Sequence, residues 1–197
     1  MEGIKEDLLT GYPNVISYEC TKKILEQMEK AIFKIKVGKN QGSGFFCKIP
    51  FPDVNNKLPV FISNNHIINK NLLYKKDITI EIFVEEDSNK KLFNLNDRLK
   101  YTNEDYDITI IEIKEKDNIN NYLELDDIIN NDIINNTNKI IKYIDKTIYL
   151  IQYPKGELSV SYGVLDNIFE DKKYNFNHIC NTELGSSGSP ILIIIIK

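Results

Sequence analysis

The segment Thr182-Glu183-Leu184-Gly185-Ser186-Ser187-Gly188-Ser189-Pro190 decides the reading of this chain. It holds three serines and two glycines, closes on a proline, and has apolar residues on either side. A flexible Gly/Ser linker would lack the proline and the apolar flanks; a short fixed loop between strands is the better expectation. Two upstream segments also place polar groups at the ends of apolar strands. In Phe61-Ile62-Ser63-Asn64-Asn65-His66-Ile67-Ile68-Asn69 a strand runs into His66, and in Tyr106-Asp107-Ile108-Thr109-Ile110 an aspartate opens one.

Outward from these three segments the pattern is mostly β. Stretches at 32–37 (IFKIKV), 43–49 (SGFFCKI), 58–63 (LPVFIS), 77–84 (DITIEIFV), 91–95 and 107–113 (DITIIEI) either alternate or are continuously apolar, and Gly, Pro and Asn punctuate them. A second strand group occupies 147–152, 158–168, 175–182 and 189–196, with Tyr153-Pro154-Lys155-Gly156 as the turn between its first two members. Between the groups lies a polar, Asn-rich stretch from about residue 114 to residue 138, the best linker candidate, in which LELDDII is compatible with a turn of helix. One helix precedes the strands: Ile24, Met28, Ala31 and Ile32 recur at helical spacing, with Ser17 or Thr21 available as its cap. The expected organisation is an N-terminal segment with a short helix (1–31), a first β unit (32–120) and a second (139–197).

Composition narrows the function classes. The 25 basic and 29 acidic residues leave a formal charge of −4, which disfavours a nucleic-acid binder working by phosphate neutralisation. A 42% hydrophobic content supplies a core. The 33 isoleucines and 24 asparagines, against the lone Arg98, raise β propensity but carry no chemistry. Three cysteines, Cys20, Cys47 and Cys180, have no metal-ligand spacing, and only His66 and His178 are available beside them, so a zinc hydrolase is hard to build. No metal or other cofactor is expected. The odd cysteine count, the absence of an apolar leader and the shortness of the longest apolar run point to a cytoplasmic protein with no membrane span.

Taken singly, a histidine after a strand, an aspartate before one and a Ser/Gly loop are ordinary structural features. Together they run His, Asp, Ser, the order in which one large class of hydrolases carries its catalytic triad. The chain resembles the trypsin-like serine peptidases, in particular the branch with a G-x-S-G-S-P motif that includes glutamyl endopeptidases and related bacterial, viral and protist enzymes. Gly42-Ser43-Gly44-Phe45-Phe46 adds a fourth match one strand before His66. The resemblance covers roughly residues 32–113 and 147–191. It implies an all-β fold of two six-stranded antiparallel barrels, and a serine endopeptidase acting on protein or peptide substrates. Ser187 is then the nucleophile, His66 the general base and Asp107 the group that orients it. The backbone N–H groups of Gly185 and Ser187 form the oxyanion hole. Ser186 and Ser189 are alternative nucleophiles only if the motif is aligned differently.

The resemblance implies two further expectations. Ser186 stands where digestive relatives carry an aspartate that pairs with a new N-terminus, so no propeptide cleavage should be needed. His178, Cys180, Asn181 and Thr182 precede the serine loop and are expected to wall the substrate pocket. His178 and Thr182 are weakly similar to the His and Thr that bind an acidic side chain in glutamyl endopeptidases. Asn181 falls where trypsins carry their pocket aspartate, which disfavours strict Lys/Arg preference. Residue 197 comes ten positions after Ser187, and only four strand-like segments are read in the second unit. An incomplete second barrel is therefore expected: part of a longer enzyme, a degenerate relative, or a barrel completed by a partner, of which the first is favoured because all three triad residues remain. The alternative function is a non-catalytic peptide-binding module on the same fold.

Overall fold

The computed structural model describes residues 11–84, 89–125, 143–168 and 176–194. The helix α1 (Tyr18–Lys30) begins as its sequence dictates: the Ser17 hydroxyl accepts from the Cys20 N–H at 3.2 Å, and Glu19 and Lys30 suit the two ends of the helix dipole. Ile24 is its buried anchor, with Met28 and the following Ala31 against the same cluster.

The strands are β1 (Ile32–Val37), β2 (Asn40–Pro50), β3 (Lys57–Ser63), β4 (Thr79–Val84), β5 (Asn89–Asn94), β6 (Lys100–Asn103), β7 (Ile108–Glu112), β8 (Thr147–Gln152), β9 (Ser159–Ile168), β10 (Phe176–His178) and β11 (Ile191–Ile193). A four-residue helix α2 (Lys70–Leu73) sits between β3 and β4. The fold is all-β, built from two curled antiparallel sheets. The first has seven strands in the order β5-β4-β1-β2-β3-β7-β6, and the second has four in the order β10-β9-β8-β11. The expected count of six in the first unit is therefore corrected to seven. The extra member, β6, reads Lys-Tyr-Thr-Asn and lacks an apolar face to betray it, because it lies at the sheet edge. The last strand expected, 189–196, is seen as Ile191–Ile193, and residues 195–197 lie outside the described residues. Residues 126–142, which include most of LELDDII, lie outside them too.

The continuous apolar character of β1 to β3 follows from burial on both faces. Phe33, Ile35, Phe46 and Phe61 point into one cluster with Ile80, Ile82, Phe93 and Ile111. Phe33 stacks on Phe46 at 4.6 Å, and Phe61 meets both Phe33 and Phe93 edge-on at 5.6 Å. Ile32, Cys47 and Val60 face the other way, into a cluster with Ile24 of α1 and Tyr149, Ile151 and Tyr153 of the second sheet. The second sheet thus packs on the outer face of the first. The described start of the Asn-rich stretch folds back as well: Leu123 is buried and its N–H donates to the Phe46 carbonyl at 2.8 Å.

Arg98, between β5 and β6, makes a buried ion pair. Its side chain is 2% exposed, makes a bidentate pair with Asp117 at 2.6 and 2.8 Å, and donates to the carbonyls of Asn94 and Glu112. Burial alone would raise the Asp117 carboxyl. The hydrogen bonds from Arg98 and the Lys114 N–H, with the guanidinium charge, outweigh that and hold it below the usual carboxylate range.

Candidate active site

Strand register brings His66 to Asp107. Ser63, the last residue of β3, pairs with Thr109 of β7, so the antiparallel continuation sets the residues after Ser63 against those before Thr109. His66 Nδ1 lies 2.7 Å from Asp107 Oδ2, and the His66 backbone N–H donates to Oδ1 at 2.9 Å. A carboxylate only accepts, so the tautomer of the neutral ring that suits this contact has its proton on Nδ1 and its lone pair on Nε2. Asp107 adopts a left-handed φ of 47°, which aspartate tolerates better than most residues. Its backbone is held at both ends, by its own N–H on the Glu104 carbonyl (3.1 Å) and by Asn64 Nδ2 on its carbonyl (2.7 Å). A second lattice braces the same turn: Asn65 Nδ2 donates to Thr102 Oγ1, which meets Thr109 Oγ1, which donates to the Ile68 carbonyl. The His66 and Asp107 side chains are themselves 53% and 43% exposed.

The serine loop crosses the end of the second sheet from β10 at one edge to β11 at the other, and it docks on the strands that lead to His66. The Ser43 N–H donates to the Ser187 carbonyl at 2.7 Å. Gly42 leaves room for that carbonyl: a Cβ there would lie 2.9 Å from it and 3.0 Å from the Ile67 side chain, next in sequence to His66. Ser43 Oγ donates to the Gly185 carbonyl at 2.9 Å and accepts from the Tyr153 N–H at 2.9 Å, while Ser63 Oγ donates to the Ser43 carbonyl at 2.8 Å. Gly185 has φ 100°, and a Cβ on it would stand 2.4 Å from the Tyr153 carbonyl, so only glycine fits.

The three serines of the loop are not equivalent. Ser186 Oγ accepts from the Glu183 N–H at 3.0 Å within the loop, and Ser189 Oγ is enclosed without a partner among the described residues. Ser187 is only partly buried. Among the described residues, no protein acceptor takes the N–H of Gly185 or of Ser187.

The residues expected to wall the pocket form a separate group. His178 Nδ1 accepts from the Cys180 N–H at 3.2 Å, which leaves the neutral ring with its proton on Nε2; burial pushes the ring below its ordinary range. Cys180 lies just beyond β10 rather than within it, half-buried, and burial pushes its thiol up to about 11. The Asn181 carbonyl accepts from Gln152 Nε2 at 3.0 Å; the Asn181 and Thr182 side chains are exposed. A groove of about 1430 Å³ lies elsewhere, between α1, residues 120–125 and β11, and none of His66, Asp107 or Ser187 lines it. Sequence reading missed Ser43, Ser63 and Asn64 as supports of the site; the only signal was Ser43 between two glycines in a strand.

These two sheets, with the serine loop laid across their seam, have the chymotrypsin-like fold. The chain is similar to solved structures of the Rv3671c protease from M. tuberculosis. The active form is 12% identical, with a TM-score of 0.53 over 98% of this chain and 78% of that one. An inactive form is 12% identical, with a TM-score of 0.52 over 94% and 82%. A serine-to-alanine mutant, also inactive, is 10% identical, with a TM-score of 0.52 over 93% and 78%. No family model and no curated protein matches the sequence.

Proposed function

We propose that this chain is a serine endopeptidase that hydrolyses peptide bonds in protein or peptide substrates without a cofactor. The observation that carries the proposal is the His66–Asp107 pair at 2.7 Å, together with a serine loop that hydrogen-bonds to Ser43 of β2, the strand paired with the one that leads to His66. Ser187 Oγ attacks the scissile carbonyl carbon while His66 Nε2 takes its proton. Asp107 holds the imidazole in the required tautomer and stabilises the imidazolium. The oxygen that becomes negative is received by the N–H groups of Gly185 and Ser187, which have no protein acceptor among the described residues. The C–N bond then breaks, His66 returns the proton to the leaving amine, and water hydrolyses the acyl-enzyme by the same route.

Ser187 is the choice among the three serines because Ser186 Oγ is engaged within its own loop and Ser189 Oγ is enclosed. Ser186 turned into the loop supports activity without N-terminal processing. His178, Cys180, Asn181 and Thr182 are proposed to contact the substrate side chain, with neutral His178 offering an Nε2–H donor. The three unpaired thiols fit a reducing, cytoplasmic setting, and no helix among the described residues is long and apolar enough to cross a membrane.

A second reading, peptide binding without turnover, draws on the exposure of Ile179, Asn181, Thr182 and Leu184 along the expected pocket. Incubation with unfolded casein, read by the appearance of new peptide termini, separates the two. Wild-type cleavage that Ser187→Ala abolishes supports the peptidase; binding of casein without cleavage by the folded wild-type chain overturns it.

A further inference from the structure

The turn at Tyr153-Pro154-Lys155-Gly156 does more than join β8 to β9. Gly156 N–H returns to the Tyr153 carbonyl at 3.0 Å, and Lys155 has φ 53°. Proline cannot take a positive φ, so Pro154 followed by a left-handed residue makes this a type II turn. A type II turn rotates its central peptide to the face opposite that of a type I turn, and here the central N–H, that of Lys155, donates to the Leu184 carbonyl at 2.7 Å. That carbonyl belongs to the peptide unit that also carries the Gly185 N–H. In a trans peptide the two point in opposite directions. Fixing the Leu184 carbonyl towards the turn therefore fixes the Gly185 N–H away from it.

Two more contacts clamp the same pair of segments. Gly185 packs its Cα against the Tyr153 carbonyl, and Lys155 Nζ forms an ion pair with Glu183 Oε2 at 2.7 Å. Glycine or asparagine would fill the left-handed position with less strain, yet lysine stands there, and its side chain reaches back to the loop. We infer that Lys155 is the positioning residue of the oxyanion hole, its N–H and its ammonium together holding the Leu184–Gly185 peptide with the Gly185 N–H turned to the substrate oxygen. The inference rests on the serine peptidase reading above.

The test is the rate at which a fluorophosphonate modifies Ser187, resolved into kinact and KI, because the phosphonyl oxygen occupies the hole during attack. Lys155→Met lowers kinact by about threefold, the scale of one exposed ion pair, with KI and melting temperature unchanged. Lys155→Arg keeps the ion pair and the wild-type rate, and the double exchange Lys155→Glu with Glu183→Lys restores the rate lost in Lys155→Met. Replacing the Pro154–Lys155 amide by an ester removes the N–H and lowers kinact by about tenfold. Wild-type modification with equal kinact in Lys155→Met and the ester variant overturns the inference alone. No modification of the folded wild-type chain overturns the peptidase reading and the inference with it.

Discussion

Ser43 Oγ donates to the carbonyl of Gly185, 142 positions away in the chain, at 2.9 Å. The same oxygen accepts from the Tyr153 N–H, so one buried hydroxyl ties the first sheet to both the turn and the loop of the second. The proposed site depends on this seam, because His66 and Asp107 belong to the first sheet's loops and Ser187 to a loop of the second.

Ser43→Ala leaves a buried N–H and a buried C=O without their partner. Each unsatisfied group costs about 1–3 kcal/mol. Urea unfolding is expected to show a loss of that order, together with slower modification of Ser187; an unchanged midpoint would show that the seam does not depend on this hydroxyl.

Asp107→Asn keeps an oxygen for the His66 backbone N–H but offers an amide to the ring, which favours the wrong imidazole tautomer. Peptide hydrolysis is expected to fall about 10⁴-fold with melting temperature nearly unchanged. A loss below tenfold would remove Asp107 from the proposed mechanism.

Gly185→Ala drives a methyl to within 2.4 Å of the Tyr153 carbonyl in a backbone conformation, φ 100°, that alanine resists. Either the loop shifts and the hole is lost, lowering kcat by about 10²-fold or more, or the fold loosens by about 1–3 kcal/mol. Wild-type rate and stability in this variant would refute the close approach.

Acid stability reports on Arg98 and Asp117. The folded carboxyl titrates below its unfolded value, so its contribution is fully present above about pH 3.9 and is lost as pH falls through the lower, folded value. Asp117→Asn leaves the guanidinium buried without its counter-charge, an expected cost of about 3–5 kcal/mol at neutral pH. Urea midpoints from pH 2 to 7 should therefore converge between wild type and variant at the acid end. Parallel curves would contradict the assignment.

Much of this was legible in the sequence where a residue's task is local. The Ser17 cap, the Ile24 face of α1, the long apolar strands and the Pro154 turn all follow from propensity and period. His66 and Asp107 could be paired only through the order of motifs, since the register that joins them, Ser63 opposite Thr109, is a tertiary fact. β6 escaped because a polar edge strand has no period to read, and Leu123 because an isolated bridge has no strand pattern to announce its partner. Ser43 and Lys155 were visible as a strand serine and a turn lysine; their partners, Gly185, Leu184 and Glu183, lie on another element that only folding brings near. Arg98 stood out as the lone arginine, but nothing in its neighbours named Asp117.

In the proposed mechanism Ser187 is a nucleophile activated by His66. Intact-mass spectrometry of the folded chain after exposure to a fluorophosphonate tests it most directly, with peptide mapping to locate the adduct. A single adduct on Ser187, absent in Ser187→Ala and strongly slowed in His66→Ala, is the predicted result. A folded wild-type chain that gains no adduct, or an adduct that persists in Ser187→Ala, would contradict it.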